Sequence, residues 1–417
     1  MDLKKVFHDV TPIEQNDGPN SVCAINYPDG FSEAMDYFRA MLDMNEHSGK
    51  CSTVQCSAGT SSHESHHSPY IFISRFITRP KERSLELTSL CLRFNPANYT
   101  TWYFRRQVLA SLSLSSELAP SNIDPNSKFT YFDPKYIEAD LEVARKMGGT
   151  NPKNYQIWYH RRSILEQSFM SCNQGNVNDN DVNDIDASAS IPTSLSTLAL
   201  VDEELDYIAS VLEEDAKNYH AWSHRQWTLK SINMPQKWRE EIMFINELLE
   251  DDVRNNSAWN QRWFVSHVGK KSGSGSSLFS LDQAKVEVGY ALEKASLDPY
   301  NESPWKYFIA IIKEQFRSSA AGAESEPESN SDSEFRLFLD ECQSNTEKIK
   351  TRFEEQFKKD GMQCTHLVST LVDILEIKGD EKSLREALDL VQALETRYDP
   401  IRRKYWKMRG DKLKRTK

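Results

Sequence analysis

The sequence predicts an all-α fold, a right-handed α–α superhelix built as a solenoid of helical hairpins. Three observations predict it. A short motif centred on Asn and Trp recurs down the chain. The segment ahead of each copy carries apolar residues at helical spacing. Gly (15) and Pro (16) are scarce among 417 residues, fewer turn formers than a β-rich chain needs.

The motif comes first in the argument, because internal repeats decide the architecture. Its copies are Asn98-Tyr99-Thr100-Thr101-Trp102-Tyr103-Phe104-Arg105, Asn154-Tyr155-Gln156-Ile157-Trp158-Tyr159-His160-Arg161, Asn218-Tyr219-His220-Ala221-Trp222-Ser223-His224-Arg225 and Asn255-Asn256-Ser257-Ala258-Trp259-Asn260-Gln261-Arg262. A fifth copy, Asn301 to Trp305, has Phe308 where Arg stood, and a degenerate sixth surrounds Trp406. The Trp-to-Trp steps are 56, 64, 37 and 46 residues. A constant motif on uneven steps implies helix pairs joined by loops of variable length.

Each motif position has a physical reading. Asn four residues before Trp caps a helix, accepting a bond from an orphan backbone N–H. Pro96, Pro152 and Pro299, two residues before that Asn, stop the preceding helix. Trp and the Arg three residues later share one helical face. Trp102, Trp158, Trp222, Trp259 and Trp305 are expected to fill the gap against the next helix. Arg105, Arg161, Arg225 and Arg262 are expected to reach carboxylates or helix-end carbonyls of a neighbouring unit. The first helices show in Leu205, Ile208, Val211 and Leu212, and again in Ile242, Ile245, Leu248 and Leu249. No single pair can bury its own apolar face, so the copies must stack.

The chain divides as follows. Residues 1–46 hold an N-terminal segment and a first helix. Residues 47–80 read as a disordered insertion with Ser/His runs. Asn45-Glu46 would join Arg83-Ser84 naturally, as if an intron had been retained. Residues 81–317 carry the repeats. Residues 318–334, Ser/Glu-rich and acidic, read as a linker, and residues 335–417 as a last helical block with a basic tail. Asn173 to Ser196 reads as a disordered loop and accounts for the 64-residue step.

The formal net charge of −11 argues against a nucleic-acid binder. The N-terminus lacks an apolar signal segment and no run could span a bilayer, so a cytoplasmic protein is expected. Seven scattered cysteines read as free thiols. Cys51, Cys56, His63, His66 and His67 cluster, but their spacing is not that of a zinc finger and few apolar residues surround them. No metal site is expected in this chain.

Asn-Tyr-x-x-Trp-x-x-Arg-Arg down a hairpin solenoid resembles the protein prenyltransferase α-subunit repeat, from Trp102 to at least Trp305. The N-terminal run Asp9-Val10-Thr11-Pro12-Ile13-Glu14-Gln15-Asn16-Asp17-Gly18-Pro19-Asn20, with Asp36-Tyr37-Phe38-Arg39-Ala40, resembles the α subunit shared by protein farnesyltransferase and geranylgeranyltransferase type I. The resemblance implies a heterodimer. Its β subunit would bind the isoprenoid and hold a catalytic zinc, and the farnesyl reaction admits magnesium. Substrates would be farnesyl or geranylgeranyl diphosphate and proteins ending in a CaaX motif.

The implied reaction attaches the isoprenoid to a cysteine sulfur and releases diphosphate. Fixed cations must meet the charge that grows on that leaving group. The resemblance gives this role to Lys153, and binding of the peptide carboxylate to Gln156. It places Tyr155, Tyr219 and His220 in the same cleft, with Lys217 and Asn218 at the matching loop of the next repeat. Read without the resemblance, a Lys before a helix cap is a solvated charge. A tetratricopeptide-like scaffold and the Rab geranylgeranyltransferase α subunit are the alternatives. The first would show a steadier step near ~34 residues; partner identity separates the second.

Overall fold

The computed structural model of the chain describes residues 1–16, 18, 26–49, 82–114, 116, 131–149, 151–170, 195–268, 280–323, 330–356 and 364–415. Every element among the described residues is helical. They form two compact units, Met1–Ile232 and Asn233–Lys417, so the repeat block expected over 81–317 divides after Ile232.

The first unit contains α1 (Leu3–Val6), α2 (Phe31–Gly49), α3 (Glu82–Phe94), α4 (Tyr99–Leu114), α5 (Pro134–Gly148), α6 (Tyr155–Met170), α7 (Leu195–Glu214) and α8 (Tyr219–Ile232). Helices α3/α4, α5/α6 and α7/α8 pair as hairpins, and α2 packs on α3. Phe7, Phe38, Leu87 and Phe104 fill the core under α2. Arg83 fastens the N-terminal turn, its guanidinium donating to Val6 O at 2.9 Å and to Asp9 Oδ2 at 2.8 Å.

The second unit contains α9 (Pro235–Asp251), α10 (Asn256–Val268), α11 (Leu281–Leu297), α12 (Glu302–Ala323), α13 (Asn330–Gln356), α14 (Thr365–Lys378), α15 (Glu381–Ala393) and α16 (Arg403–Arg415). A π turn, Leu394–Tyr398, and a 3-10 turn, Pro400–Arg402, link the last two. Local signals set these boundaries. Ser280 and Gln283 form a reciprocal capping box on α11. Asp380 caps α15 by accepting from Ser383 N at 2.9 Å. Gly379, at φ 69°, supplies the left-handed residue that ends α14.

The repeated side chains do what their spacing implies, and more. Trp102, Trp158, Trp222, Trp259 and Trp305 are buried. Asn98, Asn154, Asn218, Asn255 and Asn301 each accept a bond from the first turn of their helix at 3.0–3.2 Å. Each Trp indole also donates to the carbonyl six residues earlier, at 2.8–2.9 Å. The cap Asn of the next repeat donates to that same oxygen: Asn154 Nδ2 to Pro96 O at 2.7 Å, Asn218 to Pro152 O at 3.2 Å, Asn301 to Val253 O at 2.7 Å. One carbonyl thus ties a loop to its own helix and to the following loop.

The arginines engage an acid that sequence reading did not single out. Arg105 and Arg161 reach forward to Asp140 and Glu204 on the first helix of the next hairpin, and Arg262 reaches Glu287. Each acid is met again by the residue two beyond Trp in its own hairpin, at a fixed separation of 20: His160 on Asp140, His224 on Glu204, Gln261 on Glu241, Tyr307 on Glu287. Arg105, Arg161 and Arg225 also donate to Leu85 O, Leu141 O and Leu205 O of their own first helix. All four repeat arginines are buried, so their charges need these partners.

Three expectations about organisation are corrected. The copy at Trp406 is not the next after Trp305: α13/α14 is a further hairpin between them. There Cys364 takes the Asn position, its thiol donating to Pro299 O, and buried Val368 takes the Trp position. With both signature residues replaced, the hairpin left no motif to find. The expected linker 318–334 is helical at both ends, α12 continuing to Ala323 and α13 beginning at Asn330. Likewise α2 runs to Gly49, into the expected insertion. The remainder of that insertion, the Cys51 to His67 cluster and nearly all of the loop expected over 173–196 lie outside the described residues.

Candidate functional site

The loops that open α6 and α8 bring the expected site residues together. Each loop is an Asx turn. Asn151 Oδ1 accepts from Lys153 N at 3.2 Å, and Asp215 Oδ1 accepts from Lys217 N at 3.0 Å. These turns push Lys153 and Lys217 outward, while the cap Asn one residue later points in. The bond from Asn218 to Pro152 O sets the two loops side by side. Lys153 Nζ then lies 3.0 Å from Asp215 Oδ2, with the lysine side chain 69% exposed.

The hydrogen bond from Lys153 is the main cause holding the Asp215 carboxyl below its ordinary pKa, so the pair is ionic at neutral pH. As an exposed ion pair it restrains Lys153 weakly. The ammonium is therefore free to exchange Asp215 for a more highly charged anion.

Aromatic side chains flank the lysines. Tyr155 and Tyr219 open α6 and α8 and are 62% and 77% exposed. The Tyr219 and His220 rings meet edge to face, with centroids 5.7 Å apart. Gln156 and His220 are half-buried, and their backbone N–H groups are held by the caps. Tyr99, at the same position of the preceding repeat, is 68% exposed, and Tyr159, one turn beyond Tyr155, is 49% exposed. Sequence reading did not assign Tyr99 or Tyr159. Their signal was the repeat register itself.

One expected site residue is corrected. Asn218 is 1% exposed, and both ends of its amide are engaged in the cap and in the bond to Pro152. Buried in these bonds, it builds the loop rather than facing a substrate. Asp215 was overlooked although its signal was present: Asn or Asp stands seven residues before Trp102, Trp158, Trp222, Trp259, Trp305 and Trp406. In the second unit Arg254 and Asp298 repeat the pairing of Lys153 with Asp215, at 2.6 Å.

Among the described residues no group of three or more His, Cys, Asp or Glu could hold a metal ion. No helix among them is long and apolar enough to cross a membrane.

The chain matches the family model for the protein prenyltransferase alpha subunit repeat over residues 82–112, 137–168, 201–232 and 238–267. It is 30% identical to a protein farnesyltransferase/geranylgeranyltransferase type-1 subunit alpha from Dictyostelium discoideum, over 98% of this chain and 94% of that one. The corresponding Candida albicans subunit is 24% identical over 99% and 98% of the two chains. Among solved structures, a chain of Candida albicans protein geranylgeranyltransferase-I complexed with GGPP is similar in fold, at a TM-score of 0.58 and 22% identity over 97% of this chain and 98% of that one. The matched segments cover the hairpins from α3 to α10, and the full-length identity extends past them into the hairpins that lost the signature: the chain belongs to the protein prenyltransferase α-subunit family, with the α subunits of farnesyltransferase/geranylgeranyltransferase type 1.

Proposed function

We propose that the chain acts with a β subunit as a CaaX protein prenyltransferase, and that Lys153 stabilises the diphosphate leaving group. The observation that carries the reading is a contrast within one motif. Trp158, Arg161, Asn154 and their counterparts Trp222, Arg225 and Asn218 are buried in structural bonds, whereas Lys153, Tyr155, Lys217 and Tyr219 stand outward on neighbouring loops, where Lys153 makes an exposed ion pair. A mobile ammonium beside aromatic rings suits a prenyl diphosphate, which is charged at one end and apolar along the other.

In the proposed reaction the substrate cysteine sulfur forms a bond to C1 of the prenyl chain as the C1–O bond breaks. The electron pair leaves with diphosphate. The charge grows on oxygen, where Lys153 leaves Asp215 and donates to it. Lys217 supplies a second cation at the edge of the same site. Gln156, half-buried in the first turn of α6, presents amide donors to the C-terminal carboxylate of the protein substrate. The zinc that supports thiolate formation in this reading is assigned to the β subunit, and no residue of this chain is given to it.

Co-expression with each candidate β subunit of the same organism tests the reading. Prenyl transfer to a CaaX peptide by a co-purifying pair supports it, and the accepted diphosphate identifies the β subunit's preference. Transfer only to an escort-delivered substrate lacking a CaaX motif would move the chain to the Rab-type enzyme.

A further inference from the structure

The last helix carries a charge opposite to the rest of the chain. Residues 402–417 contain nine Lys or Arg and one Asp, in a protein of net charge −11. Helix α16 packs inward through Trp406, Gly410 and Leu413. The fit is close at Gly410, where an added Cβ would lie 3.3 Å from Val391 Cγ1. Arg409 is spent inward on Glu376 and Asp373. The opposite face is left outward.

That outward face is apolar and basic together. Ile401 in the preceding 3-10 turn is 96% exposed, Met408 64% and Tyr405 46%. Ile401, Tyr405, Met408 and Lys412 follow one another at spacings of four, three and four, which places them along one side. Lys404, Lys412 and Arg415 are exposed and fall on the same side by helical spacing. Apolar residues at such exposure, interleaved with cations and an interfacial tyrosine, are the pattern of a helix lying in a membrane surface.

We propose that the outer face of α16 docks the protein on membranes containing anionic phospholipid. The cations meet the headgroups, while Ile401, Tyr405 and Met408 enter the boundary below them. The remainder of the chain carries a net negative charge that the same surface repels, which favours approach through this basic face. An acidic polypeptide would satisfy the cations but would leave the exposed apolar row without a partner, which favours the lipid surface.

Vesicle flotation tests this with the full chain and, in parallel, with its heterodimer. The probes are vesicles of phosphatidylcholine alone and of phosphatidylcholine with phosphatidylserine. Both protein forms should float with the second kind, not the first, and should be released by high salt. Replacing Lys404, Lys412 and Arg415 by Gln should weaken binding on the order of a hundredfold. Replacing Ile401 and Met408 by Ser should weaken it about tenfold or more. All five positions are exposed, so the unfolding midpoint should not move, and folding can be checked separately. Equal flotation with both vesicles would overturn the proposal, and so would binding by the isolated chain that the heterodimer lacks, because the β subunit would then cover the face. Capture of polyglutamate that survives the Ile401 and Met408 changes, without flotation, would identify an acidic polypeptide as the ligand instead.

Discussion

Arg161 and Glu204 join consecutive hairpins through a buried pair: Arg161 Nε donates to Glu204 Oε1 across 2.9 Å, and the two residues are 2% and 1% exposed. His224 Nε2 lies 2.7 Å from the same Oε1. The Arg161 guanidinium also sits 3.9 Å from the centroid of the Tyr207 ring. Burial alone would raise the Glu204 pKa, but Arg161 first and then His224 bring it down to about 2.

Glu204→Leu should therefore destabilise the first unit by about 3–5 kcal/mol, because it strands the Arg161 cation in the interior. The double change Arg161→Leu with Glu204→Leu should cost less than Glu204→Leu alone, since no buried charge is left behind. Denaturant unfolding of the single and double variants measures both. A single variant within about 1 kcal/mol of wild type would show that the pair does not join the hairpins.

Acidification should weaken the protein before its carboxylates titrate. Burial holds His160 neutral and lowers its pKa to about 4, against 6.5 for the free side chain. The unfolded chain then binds one more proton than the folded one between those values. Stability from this group is complete above about pH 6.5 and is lost as pH falls toward about 4, at up to about 1.4 kcal/mol per unit. Asp140 is depressed to about 2, Arg105 and then His160 outweighing its burial, so its contribution disappears only on further descent through the carboxylate range. His160→Gln should remove the upper part of the slope and keep the lower. It preserves the bond, as Gln261 does natively for Glu241 at 2.8 Å. Unfolding midpoints across that range check it; parallel curves for the two proteins would refute the assignment to His160.

The corrected role of Asn218 gives a contrast with its neighbour. Asn218→Ala removes a cap and the bond to Pro152 and should cost about 1–3 kcal/mol. Tyr219→Ala, at a residue 77% exposed, should leave stability within about 0.5 kcal/mol and act on substrate affinity instead. Thermal unfolding beside steady-state kinetics separates the two. Loss of activity without loss of stability in Asn218→Ala would return it to the substrate site.

Much of this was legible in the sequence, because a repeat prints the same physical requirement several times. The Asn caps and the buried Trp row follow from local spacing, and the exposure of Lys153 from its place before a cap; Tyr155 entered only through the resemblance. The acids Asp140, Glu204, Glu241 and Glu287 were harder to see. They lie in first helices, whose distance from the preceding Arg changes with loop length, and only the separation of 20 to the residue two beyond Trp is constant. The α13/α14 hairpin was hidden because Cys364 and Val368 satisfy by contact what Asn and Trp satisfy elsewhere. The ion pair of Lys153 with Asp215 depends on how two loops dock, which no spacing within one loop encodes.

The most direct test is turnover by the co-purified heterodimer carrying Lys153→Ala. The Lys153 side chain is exposed, and its ammonium pairs with Asp215 of the neighbouring loop, so the variant should assemble as wild type does. The account predicts that kcat for prenyl transfer to a CaaX peptide falls on the order of a hundredfold, with KM for the peptide little changed, because the lost interaction forms as charge moves onto diphosphate. An assembled Lys153→Ala heterodimer with wild-type kcat would contradict it, and would leave the leaving group to Lys217 or to cations of the β subunit.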